Sequence, residues 1–166
     1  MEEKEVIEAR QNCNDREYFL KLVKEKPLLI EWGSDEIRGD KEIMLEAVKV
    51  NGGALEFSSE KLKDDKDVVL AAVKTSGWTG CYASERLRDD KDVVLAAVKS
   101  KPVIIKYASA RLRNDKDIGV LAVRTAKDNA VDYQTGVLLN AVKNFISDEL
   151  KADPDIKAIL EEDKKE

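Results

Sequence analysis

An all-α, solenoid-like stack of short helical repeats is predicted by three observations. The decapeptide Asp65–Lys74, Asp-Lys-Asp-Val-Val-Leu-Ala-Ala-Val-Lys, returns letter for letter at Asp90–Lys99. Looser copies start at Asp15, Asp40 and Asp115, so five aspartates stand 25 residues apart, the mark of a repeat architecture. The composition agrees: 43% of residues are hydrophobic and 38% charged, while aromatics make up only 5%, which suits a helical protein better than a sandwich, barrel or disordered chain.

In chain order, a single domain over residues 1–166 divides into a cap, repeats and a second cap. Residues 2–13 read as an irregular helix with Val6, Ile7 and Ala9 as apolar contacts, the polar-faced end that an open stack needs. Residues 15–114 hold four 25-residue repeats, 115–152 two shortened units of 19 residues, and 153–163 a closing helix. These make five to six helix-turn-helix units, with a right-handed, elongated or gently curved stack expected by analogy with other α-solenoids.

Each column of the repeat has a physical meaning. Asp15, Asp40, Asp65, Asp90 and Asp115 precede an apolar run, where an aspartate accepts hydrogen bonds from the unpaired N–H groups of a helix start. Glu17, Glu42, Asp67, Asp92 and Asp117 add negative charge to the first turn, and Lys24, Lys49, Lys74, Lys99 and Arg124 add positive charge to the last, matching the helix dipole. Val68–Val73 is apolar all round, as expected of a helix covered on both flanks, and its paired alanines keep it thin. Pro27, Gly52, Gly77 and Pro102 end the helix and turn the chain.

A second, shorter helical element follows, with apolar positions such as Leu55, Ser58 and Leu62 at i, i+3 and i+7. Trp32, Phe57, Tyr82 and Tyr107 share a column and read as packing residues. Ser34, Ser59, Ser84 and Ser109 read as N-caps of a last turn rather than nucleophiles, because the chain contains no histidine to activate them. Beyond Asp115, Gln134 and then Asp153 stand 19 residues apart in place of the aspartate. Asp128 and Ser147 take the serine column and Val131 and Leu150 the leucine column, with a shortened connection before them. Asp153-Pro154 gives a cap and a first-turn proline for a helix to about Glu162.

The absence of histidine excludes a histidine triad, and the lone Cys13 and Cys81 lack zinc-ligand spacing, so no cofactor or metal is expected. Both thiols are expected to be reduced. The longest apolar run, Val68–Val73, is far below the roughly 20 residues that cross a bilayer. The acidic amino-terminal stretch is not a secretory signal, so a cytoplasmic protein with no membrane association is expected.

Leu87–Lys99, Leu-Arg-Asp-Asp-Lys-Asp-Val-Val-Leu-Ala-Ala-Val-Lys, preceded by Tyr-Ala-Ser-Glu-Arg at Tyr82–Arg86, resembles the repeat called domain of unknown function 4116. The resemblance covers Asp40–Arg124 well and 15–39 more loosely, while the shortened units depart from it. It implies a helical repeat fold and brings no activity, cofactor or catalytic residue.

Function is therefore expected to be non-enzymatic: a scaffold for an unidentified protein or peptide. Trp78, Tyr82, Arg88 and Arg113 are the candidate binding residues. Trp78 suits either an exposed anchor or a buried filler beside Gly77 and Gly80, and the glycines favour the buried placement. The alternative is an anion or nucleic-acid site along two stacked rows, Arg38, Lys63, Arg88 and Arg113, and Lys24, Lys49, Lys74, Lys99 and Arg124. The net charge of −5 and the lack of a wholly basic block weigh against nucleic acid. Asp64-Asp65/Asp67 and Asp89-Asp90/Asp92 lack the glycine turn and distal glutamate of a calcium loop and read as caps.

Overall fold

The computed structural model describes residues 2–128 and 135–161. Every 25-residue unit is built alike. A long helix is followed by a six-residue 3-10 helix and then a single α-turn. After the capping helix α1 (Glu2–Gln11), the first unit contains α2 (Arg16–Leu22), the 3-10 helix Pro27–Trp32 and α3 (Asp35–Gly39). The second contains α4 (Lys41–Val50), Gly52–Phe57 and α5 (Glu60–Lys63). The third contains α6 (Lys66–Thr75), Gly77–Tyr82 and α7 (Glu85–Arg88). The fourth contains α8 (Lys91–Ser100), Pro102–Tyr107 and α9 (Ala110–Arg113).

The single short helix expected after each breaker is thus two pieces. The break falls at the serine column, where Ser58-Ser59 and its equivalents are extended, as an N-cap requires. The apolar stripe survives it: Leu55, Ser58 and Leu62 are buried, as are Ile105, Ala108 and Leu112.

The aspartate column caps the long helices. Asp65 accepts from the N–H groups of Asp67 at 3.0 Å and Val68 at 3.3 Å, and Asp40, Asp90 and Asp115 repeat the pattern. Val68, Val69, Ala72 and Val73 point into the core, each such valine contributing about 1.5–3 kcal/mol of burial. Leu70 and Ala71 are only half-buried, so the helix keeps an outer edge and is not covered all round. In the cap, Ala9 is buried and Ile7 is exposed, because only one edge of α1 meets the first unit.

A backbone link and a cation rung recur between consecutive units. The backbone N–H of Ser59 donates to the carbonyl of Arg38 at 3.1 Å, with the same link from Ser34 to Cys13, Ser84 to Lys63 and Ser109 to Arg88. The cation after each capping aspartate reaches the acidic pair of the next unit. Lys41 lies 2.8 and 2.9 Å from Asp65 and Asp67, Lys66 2.8 Å from both Asp90 and Asp92, and Lys91 2.9 and 2.7 Å from Asp115 and Asp117. Arg16 holds Asp40 and Glu42 in the same way.

The ladder then passes from α10 (Lys116–Asp128) to α13 (Pro154–Glu161): Lys116 lies 3.1 and 2.7 Å from Asp153 and Asp155. Between them α11 (Thr135–Phe145) packs on α10 and on the 3-10 helix Pro102–Tyr107, occupying the 3-10 helix's place, and α12 (Asp148–Lys151) supplies the α-turn. The two 19-residue spacings in the sequence therefore fill one layer. Only Ile146 separates α11 from Ser147, which caps Leu150 at 3.0 Å, while Asp128 closes α10 rather than opening a turn. Val131 and Gln134 lie outside the described residues. Among the described residues no helix is long and apolar enough to cross a membrane.

Candidate interaction face

Most of the charge along the stack is already engaged. Burial pushes the Asp90 carboxyl up, but the Lys66 ammonium and the N–H groups of Val93 and Asp92 outweigh it and hold it below the ordinary carboxylate value. Asp65 and Asp115 behave alike with Lys41 and Lys91, and each of these lysines is pushed up by its two carboxylates. A second set binds the α-turns. Ser84 donates its hydroxyl to Asp64 and Ser109 donates to Asp89, while Arg86 and Arg111 clamp the same aspartates and donate to their carbonyls at 2.6 and 2.8 Å. The acidic clusters that resemble calcium ligands are consumed by caps and cations.

The row Arg38, Lys63, Arg88 and Arg113 is unequal. Arg38 pairs with Asp35 on its own turn and Lys63 with Glu60 at 2.8 Å, but Arg88 lies 4.0 Å from Glu85. At Arg113 the acidic position is Ala110, and the Nε atoms of Arg88 and Arg113 are both buried without a hydrogen-bond partner. In the other row Lys49 holds Glu46 at 2.7 Å, whereas Lys74, Lys99 and Arg124 are exposed with no carboxylate partner among the described residues.

Trp78 is not buried: it is 43% exposed. The space beside Gly77 and Gly80 is filled by the next unit. A Cβ on Gly77 would lie 2.7 Å from the carbonyl oxygen of Ala97, and one on Gly80 3.3 Å from Ala97 Cβ and 3.4 Å from Ile104. The indole is instead laid outward over the fourth unit. It meets Tyr107 edge to face with ring centroids 6.2 Å apart, and Lys106 Nζ sits 5.4 Å from the Trp78 ring and 4.6 Å from the Tyr107 ring. Such contacts fix an exposed ring in place.

Tyr82 lies on the same 3-10 helix and donates to Glu56 at 2.8 Å; that carboxylate, with burial behind it, pushes the phenol up to about 12. Cys81, between the two sides of this patch, is a free thiol pushed up by burial. Trp32, Phe57, Tyr82 and Tyr107 all pack partly buried against the core, as the aromatic column predicts. Of the candidate residues, Trp78 and Tyr82 share one 3-10 helix, Arg88 lines a narrow hollow with Tyr107 and Gly80, and Arg113 stands one unit further along.

Charge is distributed unevenly between units, which a chain-wide total conceals. Residues 90–114 carry two acidic side chains and six basic ones, a net +4 in a chain of net −5. Units 15–39 and 40–64 carry more acid than base, and 65–89 carries four of each. Within 90–114 both aspartates are taken by Lys66, Lys91 by Asp115 and Asp117, and Arg111 by Asp89. Lys99, Lys101, Lys106 and Arg113 have no carboxylate partner among the described residues. Counting charge unit by unit is the sequence signal that finds Lys101 and Lys106.

No curated protein and no solved structure matches the chain. The family described as Domain of unknown function (DUF4116) matches in four overlapping copies, at residues 15–63, 40–88, 65–109 and 90–130. Their offset of one 25-residue unit follows the repeating ladder, and the chain belongs to this family.

Proposed function

We propose that the chain is a non-enzymatic scaffold that binds a protein or peptide segment at the edge formed by the third and fourth 3-10 helices. One observation carries the reading: Trp78 is 43% exposed yet contacted by Tyr107 and Lys106, so a large apolar surface is presented with its ring braced from the fourth unit. Indole groups of this kind anchor interfaces because they bury much area at little entropic cost. A binding role rather than a catalytic one is supported by the serines and aspartates, which recur along the chain and are spent on caps and inter-unit bonds. The proposed setting is the cytoplasm, in keeping with two unbridged thiols.

A second reading, anion or nucleic-acid binding, is favoured by the exposed Lys74, Lys99 and Arg124 at equivalent positions of successive units. Affinity capture from native lysate, with and without nuclease and with Trp78→Ala beside the wild type, separates the two. The scaffold reading expects a saturable protein partner that survives nuclease and is lost with Trp78→Ala while far-UV circular dichroism is unchanged. Capture that needs nucleic acid, or that is indifferent to Trp78→Ala, overturns it.

A further inference from the structure

We propose that the segment taken up at Trp78 is an acidic peptide carrying several carboxylates beside a bulky apolar side chain. This rests on the scaffold reading and adds the chemistry of the partner. The apolar half of the site is the exposed part of the Trp78 indole, braced by Tyr107. The charged half is the surplus of the fourth unit. Lys106 lies over both rings, Lys101 opens the same 3-10 helix, and Arg113 follows on α9; none of the three has a carboxylate partner among the described residues.

Those cations mark this unit off from the others by specific replacements. The column that holds Lys106 holds Glu31, Glu56 and Cys81 in the earlier units, so its sign reverses along the stack. Where Asp35, Glu60 and Glu85 face their own-turn cations, Ala110 faces Arg113. Everywhere else in the described repeat region the stack places a carboxylate within reach of such a turn. Here the carboxylate is missing, and a partner's aspartates and glutamates would supply it.

A peptide fits better than a nucleic-acid strand for two reasons. The net positive charge is confined to one 25-residue unit, between a unit of zero net charge and an acidic carboxy-terminal region, so the surplus does not continue along the stack as a nucleic-acid strand would require. The Trp78 ring also already carries Tyr107 and Lys106 against it, so part of the indole on which a base would stack is taken.

The test is selection of a random-sequence peptide display library on the immobilised full chain, with Trp78→Ala as counter-selection. The expected set is acidic and apolar. Affinity for a selected peptide should fall about tenfold in Lys106→Glu and weaken with salt. In the combined variant Lys101→Glu, Lys106→Glu, Arg113→Glu the selected set should lose its negative charge. Circular dichroism and thermal melts confirm that the variants fold, and Lys106→Gln provides a milder change of the same sign.

Trp78-dependent peptides without an acidic bias would overturn the acidic class and leave the face standing. No Trp78-dependent enrichment would overturn the face as well. Displacement of the selected peptides by an oligothymidylate strand of about 20 nucleotides, binding with a steep salt dependence, would assign the cations to nucleic acid instead.

Discussion

Ser59 and Ser84 occupy one column, yet replacing each by alanine should have opposite effects. Ser84 Oγ accepts from the N–H of Leu87 at 3.3 Å and donates to Asp64. The lost cap costs about 1 kcal/mol. The lost hydrogen bond adds less than a fully buried one, because Asp64 is 44% exposed and keeps Arg86. A total of about 1.5–2 kcal/mol lowers Tm by about 3–8 °C in a chain of this size.

Ser59 Oγ, by contrast, is buried with no partner and makes no cap bond. The residue in the place of Asp64 is Gly39, which has no carboxylate to offer. Removing an unpaired buried hydroxyl should leave stability unchanged or raise it by up to about 1 kcal/mol. Gly39→Asp should supply the missing acceptor, since a Cβ there would sit 3.7 Å from Ser59 Oγ in ordinary contact. Urea unfolding followed by circular dichroism, on both single variants and the double variant, isolates the new bond as a coupling of about 1 kcal/mol. The reasoning fails if Ser59→Ala is as damaging as Ser84→Ala, or if Gly39→Asp gains as much without the hydroxyl.

Gly77→Ala should cost about 1–3 kcal/mol in the same assay, because the new methyl would meet the Ala97 carbonyl oxygen at 2.7 Å and push two units apart; an unchanged melt would refute the close approach. Lys66→Met should destabilise at neutral pH by removing the cation between Asp90 and Asp92. A carboxyl held below its ordinary value of 3.8 contributes stability above that value and loses it as pH falls through the lower folded-state value. The gap between wild type and Lys66→Met should therefore narrow on acidification below about pH 4, and a gap independent of pH would contradict the role given to Lys66.

Much of the fold could be read in the sequence because its determinants are local. Asp65 caps the helix that begins at Lys66, and Ser84 caps the turn that ends at Arg88, so column spacing reveals both. The inter-unit cations were hidden for the opposite reason. Lys41 and Lys66 look like first-turn surface residues until the acids 24 and 26 positions later are brought beside them by stacking. Gln134 continues the sequence pattern, but the register is set by the layer that Lys116 reaches, which is α13.

Trp78 shows how a local cue misleads. Two flanking glycines look like empty space in one dimension, while in three the next unit occupies it, with the Ala97 carbonyl at Gly77 and the side chains of Ala97 and Ile104 at Gly80. The charge asymmetry was visible in the letters and lost in the total, because the acidic ends of the chain outweigh one basic unit.

Each rung of the ladder from Lys41 to Lys91 runs the same way, from a cation in one unit to an acidic pair in the next, and the serine backbone links run to the unit before. A 25-residue segment inserted in frame anywhere in 40–114 would bring one lysine and one acidic pair for the rungs, and one serine N–H and one carbonyl for the backbone links. The stack can thus gain or lose members by tandem duplication or deletion without leaving a rung or a backbone link unmade. The identity of Asp65–Lys74 and Asp90–Lys99 is the pattern such copying leaves, and it makes length the most readily varied property of this architecture, with the particular face of each unit free to diverge afterwards.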